Sequence, residues 1–372
     1  MKNKYPVILL QLIAVLTIAV SSCKKDSTPA PAVVNAKPVT IGLFEYAASS
    51  NNTTIKRVFI PISKIGTQTV NYDLIFDTGS TGFTIGASGI VPDADVTNTG
   101  FNIAAGDSLV LKNGIVITSH ASTMSYGNAT SSTTEYGNLA YASITIPDEA
   151  GKGVTIKRVP MFLYYKIEQT VNNVTTKLGA HAGDIFGVGP GVSYTNSSIA
   201  SPLSYYSPGT SLTKGFKLSQ FVSTDFVTDT GNYVENLLTL GLTSADLNSS
   251  GFIMHPLSII DQSGYSPNIP GTITYNGNTI SAQLLFDTGT PSITIIEKPA
   301  SIPPLLPKNT VVTVTTNKGF TYTYTTTDTN NLTQVQNPNN TGDLRSIFSI
   351  NFFVDNEFLT DYAGHQIGLK NN

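Results

Sequence analysis

Cysteine is almost missing from this 372-residue chain, which holds only Cys23. One cysteine forms no internal disulfide, so an exported body must be held by its apolar cores. Nor does anything after Cys23 offer a thiol nucleophile. Charge is scarce as well: 12% of residues are charged, with 21 basic against 24 acidic and a net charge of −3. That balance carries no basic footprint, and no nucleic-acid partner is expected. His120, His181, His255 and His365 lie far apart with no ligand spacing, so no metal and no cofactor is expected. Gly187-Val188-Gly189-Pro190-Gly191 has neither the spacing nor the βαβ surroundings of a nucleotide loop. Tryptophan is absent altogether, and no Gly-x-Ser-x-Gly nucleophile elbow occurs.

What is present begins at the N-terminus. Lys2 and Lys4 precede a mostly apolar run from Pro6 to Val20 that ends in Val20-Ser21-Ser22-Cys23. A positive start, a short apolar stretch and small residues before a cut describe a secretory signal over 1–22. The run is short for a membrane span and is interrupted by Gln11. Small residues directly before a cysteine resemble the lipobox of bacterial lipoproteins, which implies lipidation at Cys23. The plain alternative is a signal peptide that happens to contain a cysteine. Residues 23–38, rich in Ala, Pro and Ser, read as the lipidated cysteine and a flexible tether. The expected setting is the cell envelope, on the outer membrane, with the membrane as partner through the lipid anchor.

From Val39 onward the pattern is period-2 strands broken by turn residues, which predicts an all-β body. Arg57–Ile62 and Asn71–Phe76 flank Gly66-Thr67. Met124–Ile146 reads as a long hairpin, Ser211–Val222 as one of few plausible helices, and Leu237–Leu242 as a strand. Thr272–Tyr275 and Thr279–Phe286 flank Asn276-Gly277, a strong hairpin signal. Val311–Thr316 and Phe320–Thr325 flank Asn317-Lys318-Gly319. The parts repeat in order, so two β lobes are expected, over 39–218 and 219–372. Long βαβ alternation, and with it a doubly wound fold, is absent.

The repeat is clearest in two stretches, Leu74-Ile75-Phe76-Asp77-Thr78-Gly79-Ser80 and Leu284-Leu285-Phe286-Asp287-Thr288-Gly289-Thr290. Each is an apolar strand ending in an aspartate, followed by Thr-Gly and a hydroxyl residue. The glycine is expected to let the backbone turn sharply and aim an N–H at the carboxylate. The hydroxyl of Ser80 or Thr290 can donate to the outer carboxylate oxygen. Two such carboxyls brought together cannot both ionise easily, so one serves as base and the other as acid; aspartic proteases are the standard example of such a pair. Asp229-Thr230-Gly231 is an internal control: it lacks the preceding apolar strand and the following hydroxyl, and reads as a turn.

These two motifs resemble the active-site motifs of pepsin-like aspartic proteases, and the likeness extends over most of the body. It implies catalytic roles for Asp77 and Asp287, supported by Thr78, Gly79, Ser80, Thr288, Gly289 and Thr290. It further implies a substrate-covering flap at Tyr126 and Gly127. Ile185-Phe186-Gly187 and Ile347-Phe348-Ser349 resemble the segments that thread behind each aspartate loop, and Glu357–Leu369 the C-terminal strands. Both motifs lie in one chain, which implies a two-lobed monomer acting on a peptide or protein substrate. The departures are also plain. The flap tyrosine has no tryptophan to meet, and Thr84 lies at about that position. Pro291 replaces a hydroxyl residue, and Asn128-Ala129 follows the flap Tyr126-Gly127. A non-catalytic binder of peptides or glycans on the same fold is the alternative.

Overall fold

Alternating side chains build most of the strands. In Val311–Thr316 the side chains of Val312 and Val314 are buried, and in Thr321–Thr325 those of Tyr322 and Tyr324 answer them across the ladder. The intervening threonines face outward and pair with each other, with the Thr313 and Thr323 hydroxyls 3.1 Å apart. This is the period-2 division into a core face and a polar face. At Asn276-Gly277 both residues take positive φ (48° and 77°), as a two-residue hairpin turn of this kind requires. They join Ile269–Tyr275 to Asn278–Phe286 with Tyr275 opposite Asn278.

The computed structural model describes residues 36–372 apart from 51–52, 105, 128–130, 193–198, 229–230, 261–263, 298–304 and 329–331. Cys23, the signal stretch, most of the tether, the Asp229-Thr230 pair and the flap's Asn128-Ala129 lie outside the described residues. The residues from Ala36 to Asn372 form one compact unit. Among them are a sixteen-stranded sheet, a seven-stranded sheet and a two-stranded ribbon.

The two large sheets repeat one arrangement. In the first, Thr53–Ile65 pairs antiparallel with Gln68–Asp77, which runs parallel to Ile185–Val188. Ile185–Val188 pairs antiparallel with Thr81–Gly86, which runs parallel to Val154–Val171. In the second, Ile269–Tyr275, Asn278–Phe286, Arg345–Phe348, Ile293–Ile296 and Thr333–Gln336 follow each other with the same sequence of antiparallel and parallel pairings. The architecture is therefore all-β and two-lobed, with an aspartate strand at the same place in each lobe. The larger sheet continues from Val39–Ser50 through Asn232–Leu242, Thr213–Leu218, Asn356–Asp361 and Gln366–Asn371 to Ile253–Pro256. Strands from the second half of the chain thus bond directly onto those of the first.

Aromatic packing supports each motif from behind. Phe76 meets Phe216 edge-on at 5.9 Å, and Phe286 lies 4.2 Å from Phe352. One contiguous apolar cluster contains all four rings.

The helix expected over Ser211–Val222 is not found; Thr213–Leu218 is a strand between Asn232–Leu242 and Asn356–Asp361. Two effects override the local pattern. Phe216 and Leu218 are fully buried in the sheet's core. A Cβ on Gly215 would stand 2.3 Å from the Thr360 carbonyl oxygen, so this glycine admits the neighbouring strand. Tertiary packing outweighs a weak helical preference.

Candidate active site

Each aspartate is placed by the strand that carries it and by the strand threaded behind it. Phe186 and Gly187 stand opposite Phe76 and Asp77 in a parallel ladder, and Phe348 stands opposite Phe286 in the other lobe. The Asp287 N–H donates to the Phe348 carbonyl at 2.8 Å. The glycine at 187 has a local reason, since a Cβ there would lie 2.9 Å from the Ser80 hydroxyl. At the equivalent place Ser349 instead caps the short helix Ile350–Asp355, its side chain accepting from the Asn351 N–H.

Around each carboxyl the same contacts recur. The Gly79 N–H donates to Asp77 Oδ1 at 2.8 Å and the Ser80 hydroxyl to Asp77 Oδ2 at 2.5 Å. The Gly289 N–H donates to Asp287 Oδ1 at 2.7 Å and the Thr290 hydroxyl to Asp287 Oδ2 at 2.7 Å. Asp77 also accepts from the Ser80 N–H at 3.2 Å. Both side chains are buried, with relative exposures of 9% for Asp77 and 8% for Asp287.

The backbone bends after each aspartate and each motif glycine aims its N–H at the carboxyl, as expected, but the glycines do more than this. Neither Gly79 nor Gly289 takes a positive φ. A Cβ on Gly79 would stand 2.3 Å from Cγ of Asp287, and one on Gly289 would stand 2.6 Å from Cγ of Asp77. Each glycine therefore clears space for the carboxyl of the other lobe, which brings the two aspartates face to face.

The motif threonines fasten the lobes together beneath the carboxyls. The Thr78 hydroxyl donates to the Phe286 carbonyl at 2.8 Å, and the Thr288 hydroxyl donates to the Phe76 carbonyl at 2.5 Å. Each hydroxyl also accepts from the other threonine's N–H, at 3.0 and 3.1 Å. Four bonds thus link positions about 210 apart in sequence.

Burial, and next the charge of Asp77, push the Asp287 carboxyl well above the usual carboxylate range. A hydrogen bond between the two carboxyls adds to this, and the donors from Thr290 and Gly289 pull the other way. Arg57, on Thr53–Ile65, senses the pair: burial lowers its pKa, and the charges of Asp287 and Asp77 oppose that. Among the described residues, no group of three or more His, Cys, Asp and Glu side chains is arranged to hold a metal ion.

Tyr126 and Gly127 end the strand Val116–Gly127, which pairs with Ser131–Ile146 in a long hairpin. In place of an indole, the Tyr126 hydroxyl donates to Oε1 of Glu135. Oε2 of Glu135 accepts from the Thr84 hydroxyl at 2.5 Å. The sequence reading reached Thr84 and missed Glu135. One signal was available: Glu135 keeps the period-2 phase of Gly137 and Leu139 and so points inward.

No protein-family model matches the sequence, and no curated protein matches it. Solved structures do resemble it. An aspartic proteinase from Irpex lacteus superposes with a TM-score of 0.55 at 17% identity, over 90% of this chain and 98% of its own. Basic 7S globulin from soybean gives 0.53 at 12% identity, over 90% and 96%. Conglutin gamma, a basic 7S globulin from lupine seeds, gives 0.54 at 12%, also over 90% and 96%. The fold is pepsin-like. Identity this low speaks for the fold alone, and the pepsin-like neighbours include globulins as well as a proteinase.

Proposed function

We propose that the chain is an aspartic endopeptidase, exported and held at the bacterial cell envelope through a lipid on Cys23. The observation that carries the catalytic reading is the facing pair of buried carboxyls, each with its own glycine N–H and its own hydroxyl donor. The raised Asp287 supports one proton on the pair, held by Asp287. In this reading a water lies between the carboxyls and a peptide carbonyl. Asp77 takes a proton from the water as its oxygen attacks the carbonyl carbon, while Asp287 gives its proton to the carbonyl oxygen. The tetrahedral diol then collapses. The C–N bond breaks, the amine nitrogen receives the proton held by Asp77, and a diol hydroxyl returns one to Asp287. No covalent enzyme intermediate forms. The substrate lies extended in the cleft as a peptide strand under Tyr126, and the enzyme acts as a monomer because both carboxyls come from one chain.

A second reading, a peptide or glycan binder without catalysis, draws support from the two globulins that share the fold. A peptide-library digest across pH separates the two, run on the purified protein, Asp77→Asn, Asp287→Asn and with a pepstatin-type inhibitor. The expected result is cleavage lost in both variants and blocked by the inhibitor. Cleavage that survives either substitution overturns the mechanism, and a wild-type protein that cleaves nothing at any pH favours the binder. The anchor is tested separately, by loss of membrane association in Cys23→Ser.

A further inference from the structure

Beneath the flap lies a buried acid that the catalytic reading does not use. Glu135 has no exposed surface. Its two oxygens are both occupied by hydroxyl donors, Tyr126 from the flap strand and Thr84 from the strand that follows the first aspartate motif. In the hairpin ladder Tyr126 stands opposite Thr133, and Glu135 is two residues further along the same face. Thr84 is itself buried, pairing with Ile185 on one side and Phe162 on the other. The chain of contacts therefore runs from the flap tyrosine to a rigid strand seven residues from Asp77. The space is cut to fit: a Cβ on Gly183 would stand 2.3 Å from Glu135 Oε1 and 2.7 Å from the Tyr126 hydroxyl.

Among the described residues, no cation acts on this carboxyl. The titratable groups around it are Tyr126, Tyr164 from Val154–Val171, and Asp184 from the segment before Ile185–Val188. Asp184 is engaged elsewhere, accepting from the Tyr164 hydroxyl at 2.6 Å and the Gly86 N–H at 2.8 Å, with His181 Nδ1 at 2.7 Å. A carboxylate accepts from two hydroxyls at once, each bond strengthened by its charge. A neutral carboxyl must spend one oxygen as a donor and loses that charge assistance.

We propose that Glu135 is the positioning residue of the flap, and that its ionised carboxyl holds Tyr126 in the place from which it covers a bound peptide. Protonation loosens the hold. Burial, opposed by the Thr84 and Tyr126 hydroxyls and aided by the charge of Asp184, pushes Glu135 up to about 7. The flap is thus gripped at neutral and alkaline pH and eased in acid.

The functional half of this inference rests on the peptidase reading; the clamp itself does not. The test uses the full-length protein labelled with 13C at tyrosine Cζ, the Tyr126 resonance being assigned by its loss in Tyr126→Phe. In the wild type that resonance is expected to titrate with a midpoint near 7, and in Glu135→Gln it is expected to stay flat. A flat wild-type resonance, or a titration that persists in Glu135→Gln, overturns the clamp. If Glu135→Gln does not fold, Thr84→Val decides. It removes a donor that favours the carboxylate, so the midpoint must move up, and an unmoved midpoint refutes the clamp. For cleavage, Glu135→Gln is expected to raise KM at least about fivefold at pH 7.5 with kcat within about twofold, and to abolish the rise of KM in acid. Tyr126→Phe/Glu135→Gln is expected to be no worse than Tyr126→Phe alone. An unchanged KM profile, or additive losses in the double variant, overturns the positioning role. A wild type that cleaves nothing sinks the peptidase reading, and the Tyr126 resonance then decides the clamp alone.

Discussion

Replacing Thr288 by valine removes one hydroxyl and keeps the side chain's shape, which isolates the bonds that join the two lobes. Thr288 is fully buried. Its hydroxyl gives a bond to the Phe76 carbonyl at 2.5 Å and takes one from the Thr78 N–H at 3.1 Å. In the valine variant the Thr78 N–H is left in a dry environment without its acceptor, which costs about 1–3 kcal/mol, and the bond to Phe76 forfeits about 1 kcal/mol more. The expected destabilisation is therefore about 2–4 kcal/mol, read from urea unfolding at fixed pH. Thr288→Ser keeps both bonds and loses only a buried methyl, at about 1 kcal/mol. The order wild type, serine, valine is the essential result. Valine within 1 kcal/mol of the wild type, or serine as damaging as valine, would refute the claim that these bonds clamp the lobes. Cleavage should fall in the same order, because the clamp lies directly beneath the carboxyls.

Gly289→Ala places a Cβ 2.6 Å from Cγ of Asp77 on a backbone that alanine can adopt. The chain should still fold, at a cost of about 1–3 kcal/mol, while kcat drops about 10²-fold as the carboxyls are forced apart; wild-type turnover would show that the close approach is dispensable. Glu45 is a buried acid with no hydrogen-bond partner for either oxygen among the described residues. Burial and then the charge of Asp225 push it up to about 8, against the pull of Lys56. Its folded pKa lies above its ordinary value of 4.5, so ionisation favours unfolding and stability falls as pH rises from there to about 8. Glu45→Met is expected to stabilise the protein strongly at pH 9 and little at pH 4, by urea midpoints. Equal shifts at both pH values would contradict this account.

Much of the fold was open to reading because its signals are local. Period-2 runs, the Asn276-Gly277 turn and the repeated order of parts pointed to two β lobes. Ser211–Val222 misled because its spacing of apolar residues suits a helix, and only the strands on either side, with the space left by Gly215, select the extended form. At the site, the bonds from Ser80 to Asp77 and from Thr290 to Asp287 span three residues, so a short motif carries them. Composition showed that Tyr126 has no indole to meet but could not supply the replacement, since Thr84 and Glu135 lie 51 residues apart.

The sequence alone therefore determined which two carboxyls receive a glycine N–H and a hydroxyl donor, because those contacts follow from covalent neighbours within one turn. Tertiary structure decided what each remaining motif residue is for. The threonines bond across 210 positions, and each glycine yields space to an aspartate of the opposite lobe. The buried Glu135 met Tyr126 and Thr84 only when hairpin and strand closed over it. Contacts of that length exist only after separately patterned segments have packed, across the lobes for the threonines and glycines and within the first lobe for Glu135, and no local pattern encodes them.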